Sequence, residues 1–213
     1  MLNGFTWWKY VMKPVLINEK VFEGLDPLSY TMEPKFDGYR IPTIAGSDRV
    51  FTFTRQKNPL KLPATLQDEL NSLNLPAGTV LDGEIWSPAK RGGWDNLPQG
   101  QCKLSFWDVI REGTKDVSSE SIETRRQILT NLLSNSTPNI MQATVYAVSF
   151  ENLRMLEQQA REVRDGQALR SGFIHGVVLK RNGSPRRDHA CRSVEHPDWL
   201  KIVYRDLSGW APR

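Results

Sequence analysis

The sequence predicts an α+β fold, with mixed or antiparallel sheets flanked by helices. Three observations predict it. Short runs with strand-like alternation recur along the chain, several of them close enough to pair as hairpins. Three segments hold helical spacing, and they lie between runs of strands. Neither Gly-x-Gly-x-x-Gly nor Gly-x4-Gly-Lys-Ser/Thr occurs, so any phosphate would have to be held by side chains.

The 213 residues are read as one domain, 1–213, with a lead-in over 1–29 and a tail over 205–213. With 39% hydrophobic and 24% charged residues, the composition is that of an ordinary globular protein. A net charge of +4 is mildly basic and compatible with a polyanionic partner. Two cysteines, Cys102 and Cys191, make no disulfide framework. No apolar run is long enough for a membrane span and no secretory leader is visible. The expected location is therefore a bacterial, archaeal or viral-host cytoplasm, or a nucleus, and not the exterior.

The elements follow in order. Residues 30–34, 38–46 and 49–55 read as strands, the last alternating as a half-buried strand should. A short helix over 64–73 carries Leu66, Leu70 and Leu73. Strands are expected over 78–86 and 101–110, bounded by Gly, Pro and Asn. Residues 121–135 form an amphipathic helix with Ile122, Leu129, Leu132 and Leu133 on one side. A strand over 143–150 leads into a helix over 151–166, where Leu153, Leu156, Ala160 and Val163 share a face and Gly166 ends it. Late strands at 173–181 and 198–204 enclose a long polar loop, 182–197.

Within this frame "EPKFDGYR", Glu33 to Arg40, places a lysine two residues from each of two carboxylates and follows it with a glycine and an arginine. Asp-Gly is a hairpin signal, so a charged β-turn is one reading; a nucleophile in a nucleotide pocket is the other. Four more stretches bear on the choice: "LDGEIW" (81–86), "LSFWDVI" (104–110), "HGVVLKR" (175–181) and "WLKIV" (199–203), with Arg55 just past the first motif. Singly, each reads as a turn, a core strand or a solvated lysine.

As an ordered set, running from residue 33 to residue 203, they resemble the motifs of the covalent nucleotidyltransferases. ATP-dependent DNA ligases are the best-fitting branch, because of the Asp-Gly-x-Arg form; RNA ligases and mRNA-capping enzymes are more distant. "KPVL" at 13–16 resembles the segment that leads into the domain in many ligases. The resemblance implies a ligase adenylation domain, with ATP and Mg²⁺ or Mn²⁺ as cofactors and nicked or broken double-stranded DNA as partner. It makes Lys35 the nucleophile that forms lysyl-AMP, Asp37 a participant in the later steps, and Lys180 and Lys201 the cations on the α-phosphate. An ordinary lysine, with a pKa of about 10.4, is mostly protonated at neutral pH, so the site must lower it.

The resemblance further implies that Glu33 meets the adenine amino group, that Arg40 and Arg55 hold ribose and phosphates, and that Glu84 contacts ribose or metal. Trp107 would stack on adenine, with Phe106 on the opposite face of its strand, and Val178 would cover the other side of the base. The sequence departs from the pattern at His175, which replaces a glutamate and is carried over as a metal contact beside Glu84. It departs again at Val203, which replaces a second lysine; Arg205 lies two residues on. Imidazole suits Mn²⁺ better than Mg²⁺.

Ten residues follow Val203, too few for the oligonucleotide-binding barrel of about one hundred residues that ligases carry next. Such a domain, absent from the fold expected here, would come from a longer chain or from a partner in trans, or the protein works without it. The basic loop offers Arg181, Arg186, Arg187 and Arg192 as DNA-phosphate contacts. His189, Cys191 and His196 in the same loop lack a fourth zinc ligand at suitable spacing and read as polar surface. Two rival functions stand beside the ligase: an RNA ligase or capping-type transferase, and a ligase-derived nucleic-acid-binding module with a decayed site.

Overall fold

The computed structural model describes residues 12–87, 101–165, 174–187 and 195–204, the side chains of 161–165 excepted. In chain order the described elements open with β1 (Lys13–Leu16), α1 (Glu19–Glu23), a 3₁₀ turn (Pro27–Ser29), β2 (Tyr30–Phe36), β3 (Tyr39–Ala45), β4 (Val50–Phe53) and β5 (Pro59–Leu60). They continue with α2 (Ala64–Ser72), β6 (Val80–Trp86), β7 (Lys103–Glu112), β8 (Lys115–Asp116), α3 (Ile122–Leu132), β9 (Ile140–Gln142) and β10 (Tyr146–Ala147). The last are α4 (Phe150–Asp165), β11 (Ile174–Arg181) and β12 (Glu195–Val203).

The strands form two sheets. One runs β1-β12-β11-β2-β10; the other runs β5-β4-β3-β6-β7-β8, with β9 also paired to β7. The β1–β12 and β7–β9 pairs are parallel and the others antiparallel. The mixed α+β class expected from the sequence is therefore the one observed.

Each sheet has its own core, and strand periodicity builds it. In the seven-stranded sheet Ile41, Leu81, Ile85, Leu104 and Phe106 pack against Leu66 and Leu70 of α2 and Leu129 of α3. In the five-stranded sheet Met32, Phe36, Val177, Leu179, Leu200 and Ile202 pack with Leu153, Leu156 and Ala160 of α4. The residues between them in sequence, Glu33, Lys35, Val178, Lys180, Trp199 and Lys201, project from the other face. Stacking of Phe36 on Trp86 (centroids 4.8 Å apart, 9° between planes) joins the two sheets.

Three local features take a form that the sequence pattern leaves open. Asp37 and Gly38 are not a hairpin: β2 pairs with β10 and β11, whereas β3 pairs with β4 and β6, so the dipeptide carries the chain from one sheet to the other. Gly38 is not among the residues with positive φ; it is needed because a Cβ there would run into the carbonyl oxygen of Ile85. The strand expected over 143–150 shrinks to β10. Its last residues cap α4, with Ser149 accepting from the backbone N–H groups of Asn152 (side chain) and Leu153 (carbonyl). Within the lead-in, Lys13–Leu16 form the edge strand β1.

Candidate active site

A cavity of about 380 Å³ opens between the two sheets, large enough for a nucleotide. The five-stranded sheet lines it with Lys13, Glu33, Lys35, Val178, Lys180, Trp199 and Lys201; the seven-stranded sheet contributes Tyr39, Arg40, Glu84 and Trp107; and Arg55 and Gln56 come from the turn after β4. Every residue expected to bind nucleotide thus reaches this one cleft, together with three of the four expected catalytic residues. Phe106 lies in the core on the far side of β7, fully buried.

Lys35 is partly buried at the end of β2. Its ammonium is disfavoured chiefly by burial, then by the charges of Lys201 and Arg40; Glu84 and Asp37 act in the opposite sense, and the balance lowers its pKa. Among the described residues no carboxylate is salt-bridged to its amine. Glu84 accepts from the Gly38 backbone N–H at 2.7 Å. Burial pushes its carboxyl up to about 7, against the pull of Lys35, Gly38 and Arg40.

A carboxyl raised in the folded state favours folding at low pH. That contribution is complete below 4.5 and disappears as pH rises to about 7. At about 1.4 kcal/mol per pH unit, the cost above pH 7 is about 3 kcal/mol. Glu84→Gln keeps the acceptor for Gly38 and removes that cost. The variant is expected to melt several degrees higher than the parent at pH 8 and at the same temperature at pH 4.5, as followed by circular dichroism.

Glu33 (3% exposed) is held from two sides. Its Oε1 accepts from Arg126 of α3, at 2.7 Å from Nη2 and 3.2 Å from Nε, and its Oε2 pairs with Lys180 Nζ at 2.7 Å. Lys180 also donates to the Trp107 carbonyl oxygen at 3.0 Å and lies 4.7 Å from the Trp199 ring centre. It is 1% exposed, and burial lowers its pKa despite Glu33 and Asp108. Lys180 thus lines the cleft with its charge paired to Glu33 and its ammonium holding the Trp107 strand. Of the two expected α-phosphate cations, Lys201 is the more accessible; among the described residues it pairs with Glu195 at 3.6 Å.

Behind the cleft runs a buried chain of charges. Arg40 donates to both oxygens of Asp82, at 2.9 and 2.5 Å, and to the Met12 carbonyl at 2.7 Å. Arg186 reaches Asp82 at 2.7 Å and Asp108 at 3.3 Å. Arg125 pairs with Asp108 at 2.7 Å. Burial alone would raise both aspartate pKa values, but the flanking arginines overcome it and hold both below the usual range. Arg40 therefore lines the cleft with its fork engaged by Asp82 and its guanidinium 5.6 Å from the Trp107 ring centre.

Arg186 was expected at DNA; its side chain is 0% exposed and inside this chain, so it does not present a phosphate contact. Arg181 and Arg187 are more than half exposed and share Asp198, at 3.8 and 3.5 Å. Arg192 lies outside the described residues, as do Arg205, His189 and Cys191.

Asp37 faces His175 at 3.6 Å, and neither lines the cleft. Of the two residues expected at a metal, Glu84 lines the cleft and His175 sits beside Asp37. Among the described residues no three His, Cys, Asp or Glu side chains come together in a way that could hold a metal ion. Glu84, an oxygen ligand on the cleft wall, fits one Mg²⁺ or Mn²⁺ contact, with phosphate and water oxygens completing the shell.

Sequence reasoning missed Arg126 and Lys13. Arg126 carried no signal, because its helix reads as amphipathic with or without it. Lys13 could have been found from "KPVL", had the lead-in been read as a strand.

Two interleaved sheets enclosing a lysine-bearing cleft make this the fold of the adenylation domains of ATP-dependent DNA ligases. The motif resemblance is borne out by comparison with known proteins. The chain is 25% identical over 214 residues to the SPbeta prophage-derived DNA ligase-like protein LigB of Bacillus subtilis (strain 168), a match covering 92% of this chain and 69% of that protein. It superposes on the ligase domain of M. tuberculosis LigD with a TM-score of 0.63 and 17% identity, covering 90% of this chain and 58% of that one. For mycobacterial DNA ligase D complexed with ATP and MES, the TM-score is 0.60, the identity 18% and the coverage 90% and 60%. The chain thus spans less than two thirds of either ligase structure. No family model matches it. Among the described residues no oligonucleotide-binding barrel is present, and no helix is long and apolar enough to cross a membrane.

Proposed function

We propose that the chain is the nucleotidyltransferase domain of an ATP-dependent DNA ligase. Lys35 Nζ attacks the α-phosphorus of ATP. A nitrogen–phosphorus bond forms, the bond to the bridging oxygen of the β-phosphate breaks, pyrophosphate leaves, and the amine proton passes to solvent. The observation that carries this reading is a desolvated lysine, unpaired with any carboxylate among the described residues, in a cleft that also holds Glu84, Trp107 and Lys201.

Each side chain has a separate task. Trp107 offers an aromatic face and Val178 an apolar one for the base, and Glu33 an acceptor for its amino group. Lys201, Lys13 and Arg55 offer cations to the phosphates, where charge neutralisation does most of the catalytic work. A divalent metal would neutralise phosphate oxygens beside Glu84. AMP then moves to the 5′-phosphate of a DNA nick or break, and the 3′-hydroxyl displaces it. Exposed Arg181 and Arg187 suit phosphate contacts on that DNA.

The test is intact mass after incubation with ATP and either Mg²⁺ or Mn²⁺, followed by peptide mapping. A gain of one AMP on Lys35 is expected. Labelling by GTP instead would make this a capping-type enzyme. No gain with any nucleotide or metal would favour the nucleic-acid-binding module, in which His175 and Val203 mark a lost activity.

A further inference from the structure

The geometry points to Arg126 as a positioning residue that sets the base preference of this cleft through Glu33, an inference that rests on the nucleotidyltransferase reading. Arg126 belongs to α3, outside the motifs that resemble the ligases, and is not among the cleft-lining residues. It nevertheless places two nitrogens on one oxygen of Glu33, and its Nη2 also donates to Thr31 Oγ1 at 2.6 Å. Thr31 and Glu33 are alternate residues of β2, so the fork spans one side of that strand and fixes the Glu33 rotamer.

The consequence falls on the other oxygen. Among the described residues the charged partner of Oε2 is Lys180, and a carboxylate oxygen accepts more than one hydrogen bond. A carboxylate locked between two cations presents an acceptor and no donor to the cleft. It therefore favours a purine carrying an amino group on the edge it meets, as adenine does at position 6, over one carrying a carbonyl oxygen there. Without Arg126, Glu33 keeps its charge partner Lys180 but loses the contacts that aim it. The preference for the amino group falls, while contacts to ribose and phosphates are unaffected.

The test compares ATP with purine riboside 5′-triphosphate, which lacks the 6-amino group, as substrates for adduct formation on Lys35. A charge-assisted hydrogen bond is worth about 1.5–3 kcal/mol, so the parent should favour ATP by about 10- to 100-fold in apparent KM. Arg126→Met should weaken ATP toward the level of the analogue and leave the analogue within about threefold. Arg126→Lys, which keeps one cation and is the milder change for folding, should retain part of the preference. Equal losses for both nucleotides in either variant, or a preference that neither substitution moves, would overturn the role of Arg126. Failure of every nucleotide to label Lys35 in the parent would instead overturn the function on which it rests.

Discussion

Lys35→Ala is expected to abolish AMP transfer to the protein and to make Glu84 still harder to ionise. The first effect follows from chemistry: of the cleft amines, Lys180 is bound to Glu33 and Lys201 pairs with Glu195, whereas Lys35 is desolvated with no carboxylate salt-bridged to it among the described residues. The second follows from electrostatics, because Lys35 is the strongest influence drawing the Glu84 carboxyl down against burial. Without it, Glu84 moves above about 7, and the loss of stability with rising pH extends to higher pH. Lys35→Arg separates the two effects. Guanidinium keeps the charge but cannot lose its proton, so adduct formation stays at zero while the pH dependence of melting remains close to that of the parent.

In the parent, burial and the charges of Lys201 and Arg40 depress the Lys35 pKa below 10.5. The single-turnover rate of adduct formation should rise with pH and level off below that value. A rate still climbing at pH 10.5 would show that the cleft does nothing to deprotonate its nucleophile.

Much of this was legible in the sequence because strand periodicity couples packing to chemistry. In "YTMEPKF" the residues that fill the core, Met32 and Phe36, are separated by Glu33 and Lys35, which must face the other way. The same alternation in "VVLK" and "WLKI" sends Val178, Lys180, Trp199 and Lys201 into one cleft. What remained hidden was pairing across long separations. Asp37-Gly38 has the composition of a hairpin, and only the partners of β2 and β3 reveal that it bridges two sheets. Lys180 reads as an unpaired cation until Glu33, far away in sequence, is found against it. Arg186 and Arg187 are adjacent and chemically identical, yet one is buried and the other exposed. No local pattern distinguishes them; the deciding partners, Asp82 and Asp108, lie on strands of the other sheet.

That contrast yields a sharp expectation. Arg186→Met should destabilise the fold by about 3–5 kcal/mol, because it leaves two buried carboxylates with one cation fewer each. Arg40 and Arg125 remain, so the chain of charges is weakened and not emptied. For a protein of this size the change corresponds to a fall of roughly 10 °C in Tm. Arg187→Met removes a half-exposed contact with Asp198 and should cost less than about 1 kcal/mol. The pH dependence identifies the cause. Asp82 and Asp108 have depressed pKa values, so the stability they contribute is fully present above 3.8 and is lost as pH falls through their folded values. The gap between parent and Arg186→Met should therefore be complete at neutral pH and narrow below about pH 3.8, whereas a loss caused by packing alone would persist in acid. If Arg186→Met instead left Tm unchanged and weakened DNA binding in a salt-dependent way, Arg186 would belong on the surface with Arg187. In that case Asp82 would be held by Arg40 alone, and the link between the polar loop and the wall of the cleft would be absent.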